Sequence, residues 1–141
     1  MVSINQIRTY LAQFTESKVP RIAVFFGGTS GIGKQTLSQL VRLKFPVRAY
    51  IIGRKATEAS TRSFLENLGN LNSKSELIWV EAEASLLSEV TRVCEVIKER
   101  EEKVDLLFMS AGYAPFAGRN SKCTPSFHQS ITDKVQTQQK A

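Results

Sequence analysis

Two features of the 141-residue sequence predict an α/β fold built on a doubly wound parallel sheet. Short apolar runs alternate with segments whose apolar residues recur at helical spacing, which is typical of strands and helices that follow one another in such a sheet. A glycine-rich turn, residues 27–33, comes directly after the first apolar run, residues 22–26, and leads into a helical pattern. This order of strand, glycine turn and helix makes the stretch the organising element of the predicted fold.

The first half of the chain begins with a helical pattern. Residues 3–16 predict an amphipathic helix that Ser3 caps and that packs across the sheet edge or the first strand–helix unit, with a partner-binding helix as the alternative. Its apolar positions are Ile4, Ile7, Leu11 and Phe14. Residues 22–26 are all apolar and predict a strand buried on both faces. The helix after the glycines is expected to end near Lys44, because a proline follows, and residues 47–52 predict a second strand.

The second half repeats this alternation. The predicted elements are a helix over 56–70, a strand over 77–80, a helix over 86–100 and a strand over 104–109. Gly69 is expected to end the first of these helices, and Ser85 is expected to cap the second. Cys94 falls on the apolar side of the second helix, which predicts a small core residue.

The glycine turn has the residue types that a bound pyrophosphate requires. Backbone N–H groups at a helix N-terminus can meet the phosphate charge. The backbone approaches a ligand closely only where side chains are absent, as at Gly27, Gly31 and Gly33. Thr29 and Ser30 add hydroxyl donors. The spacing is GxxxGxG rather than GxGxxG, and a plain glycine turn between a core strand and a core helix is the alternative interpretation.

Two cations follow the second predicted strand, about 20 residues beyond the glycine turn, where a dinucleotide fold contacts the adenosine ribose. An acidic residue there would bind the 2′-hydroxyl of NAD, but this chain has Arg54 and Lys55. A guanidinium can bind a 2′-phosphate by donating two parallel N–H hydrogen bonds. The pair therefore indicates NADP, and a solvated surface pair is the alternative.

The segment FGGTSGIG, residues 26–33, resembles the first turn of the short-chain dehydrogenases/reductases, with Phe26 where that family usually has Thr. The resemblance implies a partial Rossmann-like sheet of four parallel strands in the order 3-2-1-4. The residue pattern adds an N-terminal helix and an irregular C-terminal tail to this sheet. Members with Arg at the position of Arg54 usually prefer NADP.

The resemblance also implies further contacts to the cofactor. Glu83 matches the acidic residue that caps the adenine; alternatively, Glu81 and Glu83 favour the N-terminus of the following helix. Ser110 replaces the Asn of the family's Asn-Asn-Ala-Gly-like turn. The cofactor-binding residues proposed from the sequence are Gly27, Thr29, Ser30, Gly31, Ile32, Gly33, Arg54, Lys55, Glu83, Ser110, Ala111 and Gly112.

The resemblance covers residues 21–120 and divides the chain. Residues 1–120 are interpreted as a Rossmann-like NADP-binding unit, and residues 121–141 as a divergent, poorly ordered tail. The family's catalytic Tyr-x-x-x-Lys is absent: Tyr10 is followed at that spacing by Phe14, Tyr50 by Arg54 and Tyr113 by Ala117. No catalytic residue is therefore assigned, and we expect the chain to lack the catalytic half of such an enzyme.

Other functional classes find little support. The net charge of +6 is spread along the chain without a basic run, which argues against nucleic-acid binding. No apolar run approaches the length of a membrane helix. Two cysteines, Cys94 and Cys123, form no disulfide framework or metal motif, and His128 is the only histidine. These observations favour a reducing, cytoplasmic setting.

Three functions remain open from the sequence. The first is an NADP(H)-dependent oxidoreductase that acts on a carbonyl or alcohol of a small molecule. The second is a catalytically inactive NADP-binding remnant. The third is a binding module that self-associates through the exposed edge of strand 104–109, for which the sequence supplies no fifth strand.

Overall fold

The structure is a computed structural model, and it describes residues 2–13 and 15–112. The elements within these ranges are α1 (Ile4–Ala12), β1 (Ile22–Phe26), α2 (Gly31–Arg42), β2 (Val47–Gly53), α3 (Glu58–Leu71), β3 (Ser75–Glu81), α4 (Leu87–Arg100) and β4 (Leu106–Met109). The strands form one parallel sheet in the order β3-β2-β1-β4. The predicted class and strand order are confirmed. The boundary at residue 120 and the predicted tail lie outside the described residues.

One face of the sheet, called here the two-helix face, is covered by α2 and α3. Its centre is formed by Phe25 and Ile51 of the sheet, against Leu37 of α2 and Leu65 of α3, and all four are buried. Continuous apolar runs produce strands buried on both faces, as predicted for β1. Burial of a large aliphatic or aromatic side chain contributes roughly 1.5–3 kcal/mol, so this face supplies much of the apolar stabilisation.

The opposite face, called here the one-helix face, is covered by one helix of the described residues, α4. Val93 and Ile97 lie one helical turn apart on α4 and are buried against Val24, Tyr50 and neighbouring strand residues. Because a single helix cannot cover four strands, the described residues leave part of this face open, and Leu107 of β4 is 56% exposed.

A polar clamp (Arg48, Tyr50, Glu76 and Glu101) ties the end of α4 to the sheet. The Glu101 carboxylate accepts hydrogen bonds from the Tyr50 hydroxyl at 2.6 Å and from Arg48 Nη1 at 2.8 Å. Arg48 Nε also donates to Glu76 at 2.6 Å. Hydrogen bonds from Tyr50 and Arg48 favour the carboxylate, so they hold the pKa of Glu101 below its ordinary value.

The N-terminal helix differs from its prediction. Ser3 caps α1 as expected, within a capping box completed by Gln6. However, α1 ends at Ala12 rather than at residue 16, and none of its residues is buried, so the predicted packing across the sheet is wrong. The capping box satisfies the first turn locally, which explains why the helix forms without that packing. Phe14 lies outside the described residues.

The ends of α2 and α3 also differ from the predictions. Helix α2 already begins at Gly31 and ends at Arg42, before Lys44, which adopts a positive φ of 60°. Gly69 lies inside α3, and Asn72 ends that helix instead. The buried Asn72 amide donates to the carbonyl groups of Val41 and Phe45, at 3.2 and 3.0 Å. These long-range bonds, rather than a local glycine, determine where α3 ends.

Two predictions on α4 are wrong. Leu86 is the N-cap residue, because the Ser85 hydroxyl donates to the Glu83 carboxylate at 3.0 Å instead of capping the helix. Cys94 is exposed rather than buried. It follows Val93 by one residue, which turns its side chain about 100° around the helix and away from the sheet.

The fourth strand is shorter than predicted at its start. β4 begins at Leu106, because the Asp105 carboxylate accepts hydrogen bonds from the backbone N–H groups of Arg21 and Ile22, both at 3.0 Å. Lys103 lies 3.0 Å from the same carboxylate. The hydrogen bond from Lys103 and those two backbone bonds lower the pKa of Asp105. β2 and β3 extend slightly beyond their predicted limits.

Candidate functional site

The candidate site is a cavity of about 480 Å³ at the carboxyl ends of the strands. Parallel α/β sheets bind ligands at this edge, where loops from different strands converge. Ten of the twelve residues proposed from the sequence line the cavity: Gly27, Thr29, Ser30, Gly31, Ile32, Arg54, Glu83, Ser110, Ala111 and Gly112. Gly33 and Lys55 do not line it.

The glycines of the turn have different roles. A Cβ on Gly27 would lie 2.6 Å from the backbone nitrogen of Ala111, and a Cβ on Gly33 would overlap the Gly27 carbonyl oxygen. These two glycines therefore allow β1, α2 and the segment after β4 to pack closely. Gly31 has a φ of +54°, and a Cβ there would meet nothing within 4 Å. Of the three, Gly31 is the one whose missing side chain leaves open space for a ligand.

The start of α2 offers unused hydrogen-bond donors. Ser30 is the N-cap residue, but its side chain makes no capping hydrogen bond. Within the described part of the chain, the backbone N–H groups of Gly31, Ile32 and Gly33 donate to no protein acceptor. Together with the positive end of the helix dipole, such groups form an anion-binding arrangement.

The segment after β4 is tied to this turn. The backbone N–H groups of Ser110 and Ala111 both donate to the Phe26 carbonyl, at 2.8 and 3.0 Å. The Ser110 hydroxyl donates to the Gly27 carbonyl at 3.2 Å. The Ser110 hydroxyl therefore joins two segments that are distant in the sequence, and it helps to hold the turn that faces the cavity.

Arg54 lies on the rim of the cavity, directly after β2. Its carbonyl accepts hydrogen bonds from the backbone N–H and the hydroxyl of Thr57, at 2.9 and 2.8 Å, which hold the chain in a tight turn. Among residues 2–13 and 15–112, no carboxylate lies within ion-pair distance of the Arg54 guanidinium. Lys55 faces a neighbouring groove instead.

Other lining residues were not identified from the sequence. They are Ile52, Gly53, Thr57, Ala82, Ala84 and Ser85. Gly53 could have been identified from the sequence, because a glycine that ends an apolar run indicates a turn at the end of a strand. A Cβ on Gly53 would overlap the Trp79 ring and would lie 2.7 Å from the Thr29 methyl group. The others come from loops that only the folded sheet brings together.

The described residues include no group of three or more His, Cys, Asp or Glu side chains that could hold a metal ion. A search of the same residues for a helix long and apolar enough to span a bilayer also finds none.

Comparison with known proteins identifies the family. The family model for short chain dehydrogenases matches residues 21–136, which is most of the chain. The chain belongs to the short chain dehydrogenase family. The match continues past residue 120, where the sequence resemblance was expected to end.

Relatives within this family include an oxidoreductase from Emericella nidulans, AN1596, which is 46% identical over 121 residues, 85% of this chain and 35% of the relative. An NmrA-like family domain-containing oxidoreductase, notO, from an Aspergillus species is 36% identical over 119 residues, 84% of this chain and 36% of the relative. The chain thus spans about a third of the length of these relatives.

A solved structure also resembles this member of the short chain dehydrogenase family. It is an N-terminal ketoreductase from a macrolactin assembly line, with a TM-score of 0.53 and 26% identity, covering 68% of this chain and 19% of the other. The family and the Rossmann-like fold imply a nicotinamide dinucleotide cofactor. The cavity fits such a group, because Gly31 leaves open space beside three unpaired backbone donors.

Proposed function

We propose that this chain is the NADP(H)-binding part of an oxidoreductase that transfers hydride between nicotinamide and a carbonyl or alcohol of a small molecule. The observation that carries the proposal is the uncapped start of α2, whose free N–H groups lie beside the space left by Gly31. An anion such as a pyrophosphate would satisfy these donors. The structural neighbour is a ketoreductase, which supports a carbonyl substrate.

The choice of NADP over NAD rests on Arg54. An acidic residue that could bind a ribose 2′-hydroxyl does not follow β2; instead, Arg54 lines the cavity without an ion-pair partner among the described residues. A guanidinium binds a phosphate dianion through paired, charge-assisted hydrogen bonds. Lys55 lines the adjoining groove, so in this proposal it adds to the local positive charge rather than making the main contact.

The bound cofactor would supply hydride to a carbonyl or accept it from an alcohol, and the residues of this chain would hold and orient the cofactor. Thr29 and Ser30 would supply hydroxyl donors in the turn, and the Ser110 hydroxyl keeps the turn in place. Glu83 would lie beside the adenine. It is already oriented, because its carboxylate accepts a hydrogen bond from Ser85.

The proton donor for the reaction is not assigned to this chain. Tyr50 is unsuited to the role, because it is buried in β2 and its hydroxyl donates to Glu101. We therefore propose that the complete activity needs residues outside this chain, and that the 141-residue chain alone binds NADPH without reducing ketones. We also propose a cytoplasmic location, which suits the free thiol of Cys94.

Thermal unfolding with and without cofactor tests the proposal. NADPH at about 100 times its Kd should stabilise the chain by about 2.7 kcal/mol, and NADH at the same concentration should stabilise it less. Arg54→Glu should reduce the affinity for NADPH at least tenfold and leave the affinity for NADH nearly unchanged. Arg8→Glu, the same charge change on the exposed helix α1, is the matched control.

Three outcomes would contradict the proposal. Equal shifts with NADH and NADPH would reject the choice of NADP. Binding that survives Gly31→Trp would place the cofactor elsewhere, since the indole would fill the open space beside the helix start. Ketone-dependent oxidation of NADPH by the 141-residue chain would show that a proton donor is present after all.

A second candidate function, self-association, is favoured by the edge of β4. In the described part of the chain β4 pairs only with β1, and Leu107 and Met109 are 56% and 72% exposed. An apolar edge with free backbone groups can pair with a second copy. Sedimentation at several concentrations should then show dimers that Leu107→Lys reduces, whereas Leu71→Lys, at a similarly exposed leucine of α3, should not. A monomer at all concentrations would reject this candidate.

A further inference from the structure

A second and larger opening lies on the one-helix face, away from the glycine turn. This opening, called here the β3 groove, has a volume of about 840 Å³ and runs between β3 and α4. Its walls include Tyr50, Ile78, Val80, Arg92, Val96 and Arg100. It meets the cofactor cavity only at a shared rim of Arg54, Ala82 and Glu83.

The strand beside this groove, β3, lies at the edge of the sheet formed by the described residues. All seven residues of β3, Ser75–Glu81, pair in unbroken register with β2, and no described strand pairs with the other side of β3. Natural proteins usually protect such an edge with proline, a bulge, lysine or a covering element. β3 contains neither proline nor lysine and shows no bulge, and its charged residues, Glu76 and Glu81, lie near its ends.

The groove can accept apolar side chains at alternate positions. Ile78 and Val80 are two residues apart on β3, so both side chains point to the same face of the sheet. Both remain only half-buried, as does Val96 on the facing side of α4. A strand added to the β3 edge would place every second side chain against these three residues.

The charges of the groove distinguish its middle from its end. In the middle, Arg92 is already satisfied, since it donates to the Glu89 carboxylate and to the Glu81 carbonyl, both at 2.6 Å. At the end near the polar clamp, Arg100 is exposed and makes no ion pair within the described residues. An acidic group on a ligand would complement the charge of Arg100. Arg54, on the shared rim, would remain available to the cofactor cavity.

We propose that the β3 groove is a docking site for an extended peptide segment of another protein. The segment adds a strand to the edge of β3, directs alternate apolar side chains onto Ile78, Val80 and Val96, and places a carboxylate near Arg100. In this mode of recognition, main-chain hydrogen bonds give affinity and side-chain pockets give specificity. The proposal is independent of the cofactor that the other cavity binds.

Titration with a synthetic peptide tests main-chain pairing. The probe is acetyl-Thr-Val-Thr-Val-Thr-Asp-amide, and binding is followed by calorimetry and by the fluorescence of Trp79, the only Trp of the chain, which lies in β3. In an extended peptide, alternate backbone N–H groups point to opposite edges. The controls are two peptides, each N-methylated at the amides of one edge only. We expect one of them to bind at least tenfold more weakly than the parent. Equal binding of all three peptides, or no binding of the parent, would overturn the proposal.

Variants locate the peptide. Val96→Glu should reduce affinity at least tenfold, whereas Thr91→Glu, at an exposed position on the same helix, should not. Circular dichroism verifies that both variants fold. Arg100→Gln tests the charge without altering the apolar wall: it should remove the preference for the peptide ending in Asp over the one ending in Asn. Retention of that preference would place the carboxylate elsewhere.

Sedimentation of the chain without peptide tests for a different occupant. If a second copy fills the β3 groove, the chain dimerises and Val96→Glu dissociates the dimer, which would overturn the peptide proposal. If the chain dimerises through β4, Leu107→Lys dissociates the dimer and peptide binding is unaffected. The proposal expects peptide binding to be independent of protein concentration.

Discussion

The two faces of the sheet are closed by different means. On the two-helix face, α2 and α3 bury a continuous apolar layer around Phe25, Leu37 and Ile51. On the one-helix face, α4 buries Val93 and Ile97, and the polar clamp holds its end by hydrogen bonds. The first face resembles the interior of a complete domain, and the second leaves the β3 groove and Leu107 accessible.

This difference separates stability from recognition. Apolar burial is the main favourable contribution to folding, and it is concentrated on the two-helix face. Directional hydrogen bonds stabilise less, but they can hold α4 in place without covering the surface beside it. The surfaces proposed to bind partners, at the β3 groove and the β4 edge, adjoin the one-helix face. The following predictions measure how far the two faces differ.

The largest effect is expected from Leu37→Ala, because Leu37 is fully buried on the two-helix face. The lost apolar contacts and the cavity should reduce the free energy of unfolding by about 3 kcal/mol. Leu107→Ala, on the open part of the other face, should change it by only about 0.5 kcal/mol. Urea unfolding followed by Trp79 fluorescence measures both. Equal losses would mean that the two faces are packed alike.

A smaller loss is expected from Asn72→Ala. The buried amide of Asn72 satisfies the carbonyl groups of Val41 and Phe45, and its removal should destabilise the chain by about 2 kcal/mol. Asn70→Ala, at an exposed position two residues earlier, is the control and should be nearly neutral. The same urea titration applies. If both variants were neutral, water would have to satisfy these carbonyl groups as well as the amide does.

The clamp on the one-helix face should contribute less. Tyr50→Phe removes the hydroxyl that donates to Glu101 and should cost about 1.5 kcal/mol. Arg48 still pairs with Glu101 in this variant, so α4 should remain folded. Circular dichroism together with urea unfolding separates loss of stability from loss of structure. A cost above that of Leu37→Ala would reverse the ranking of the two faces.

The clamp also predicts how stability depends on pH. Its hydrogen bonds lower the pKa of Glu101 in the folded chain, so the unfolded chain binds a proton at a higher pH. The stabilisation is therefore complete above the ordinary Glu value of about 4.3 and is lost as the pH falls through the lowered folded pKa. Glu101→Gln should be less stable at pH 7 and should show a weaker decline in acid. An unchanged acid profile would contradict the proposed role of Glu101.

The smallest effect is expected from Cys94→Ala. Because Cys94 is exposed on α4, this substitution should change the free energy of unfolding of the chain by less than about 0.5 kcal/mol. Its thiol should also react with a soluble disulfide reagent in the folded chain. A slow reaction that requires unfolding would show that this side of α4 is covered.

Much of the fold and part of the site follow from local sequence patterns. Continuous apolar runs predict buried parallel strands, and the order of strand, glycine turn and helix at residues 22–33 predicts the switch point of the sheet. The capping of α1 by Ser3 is likewise local. Arg54 could be placed on the cavity rim because it directly follows a strand, and the ends of parallel strands share one edge.

Other features could not be predicted because they depend on contacts between distant segments. Asn72 ends α3 by binding carbonyl groups about 30 residues away in the sequence. Ser85 turns to Glu83 instead of capping α4, although its sequence position suits a cap. Neighbouring residues of α4 point about 100° apart around the helix axis. Which side of α4 faces the sheet therefore determines that Val93 is buried and Cys94 is exposed.

The sequence by itself determined the class of fold, the order of its elements and the position of the glycine turn, because these depend on short-range patterns of apolar residues and glycine. Only the tertiary structure decided how these glycines differ: Gly27 and Gly33 allow segments to pack closely, and Gly31 borders open space. It also decided which surfaces the described residues leave open, since the β3 groove and the exposed Leu107 lie on a face of four strands against which only α4 packs in this part of the chain.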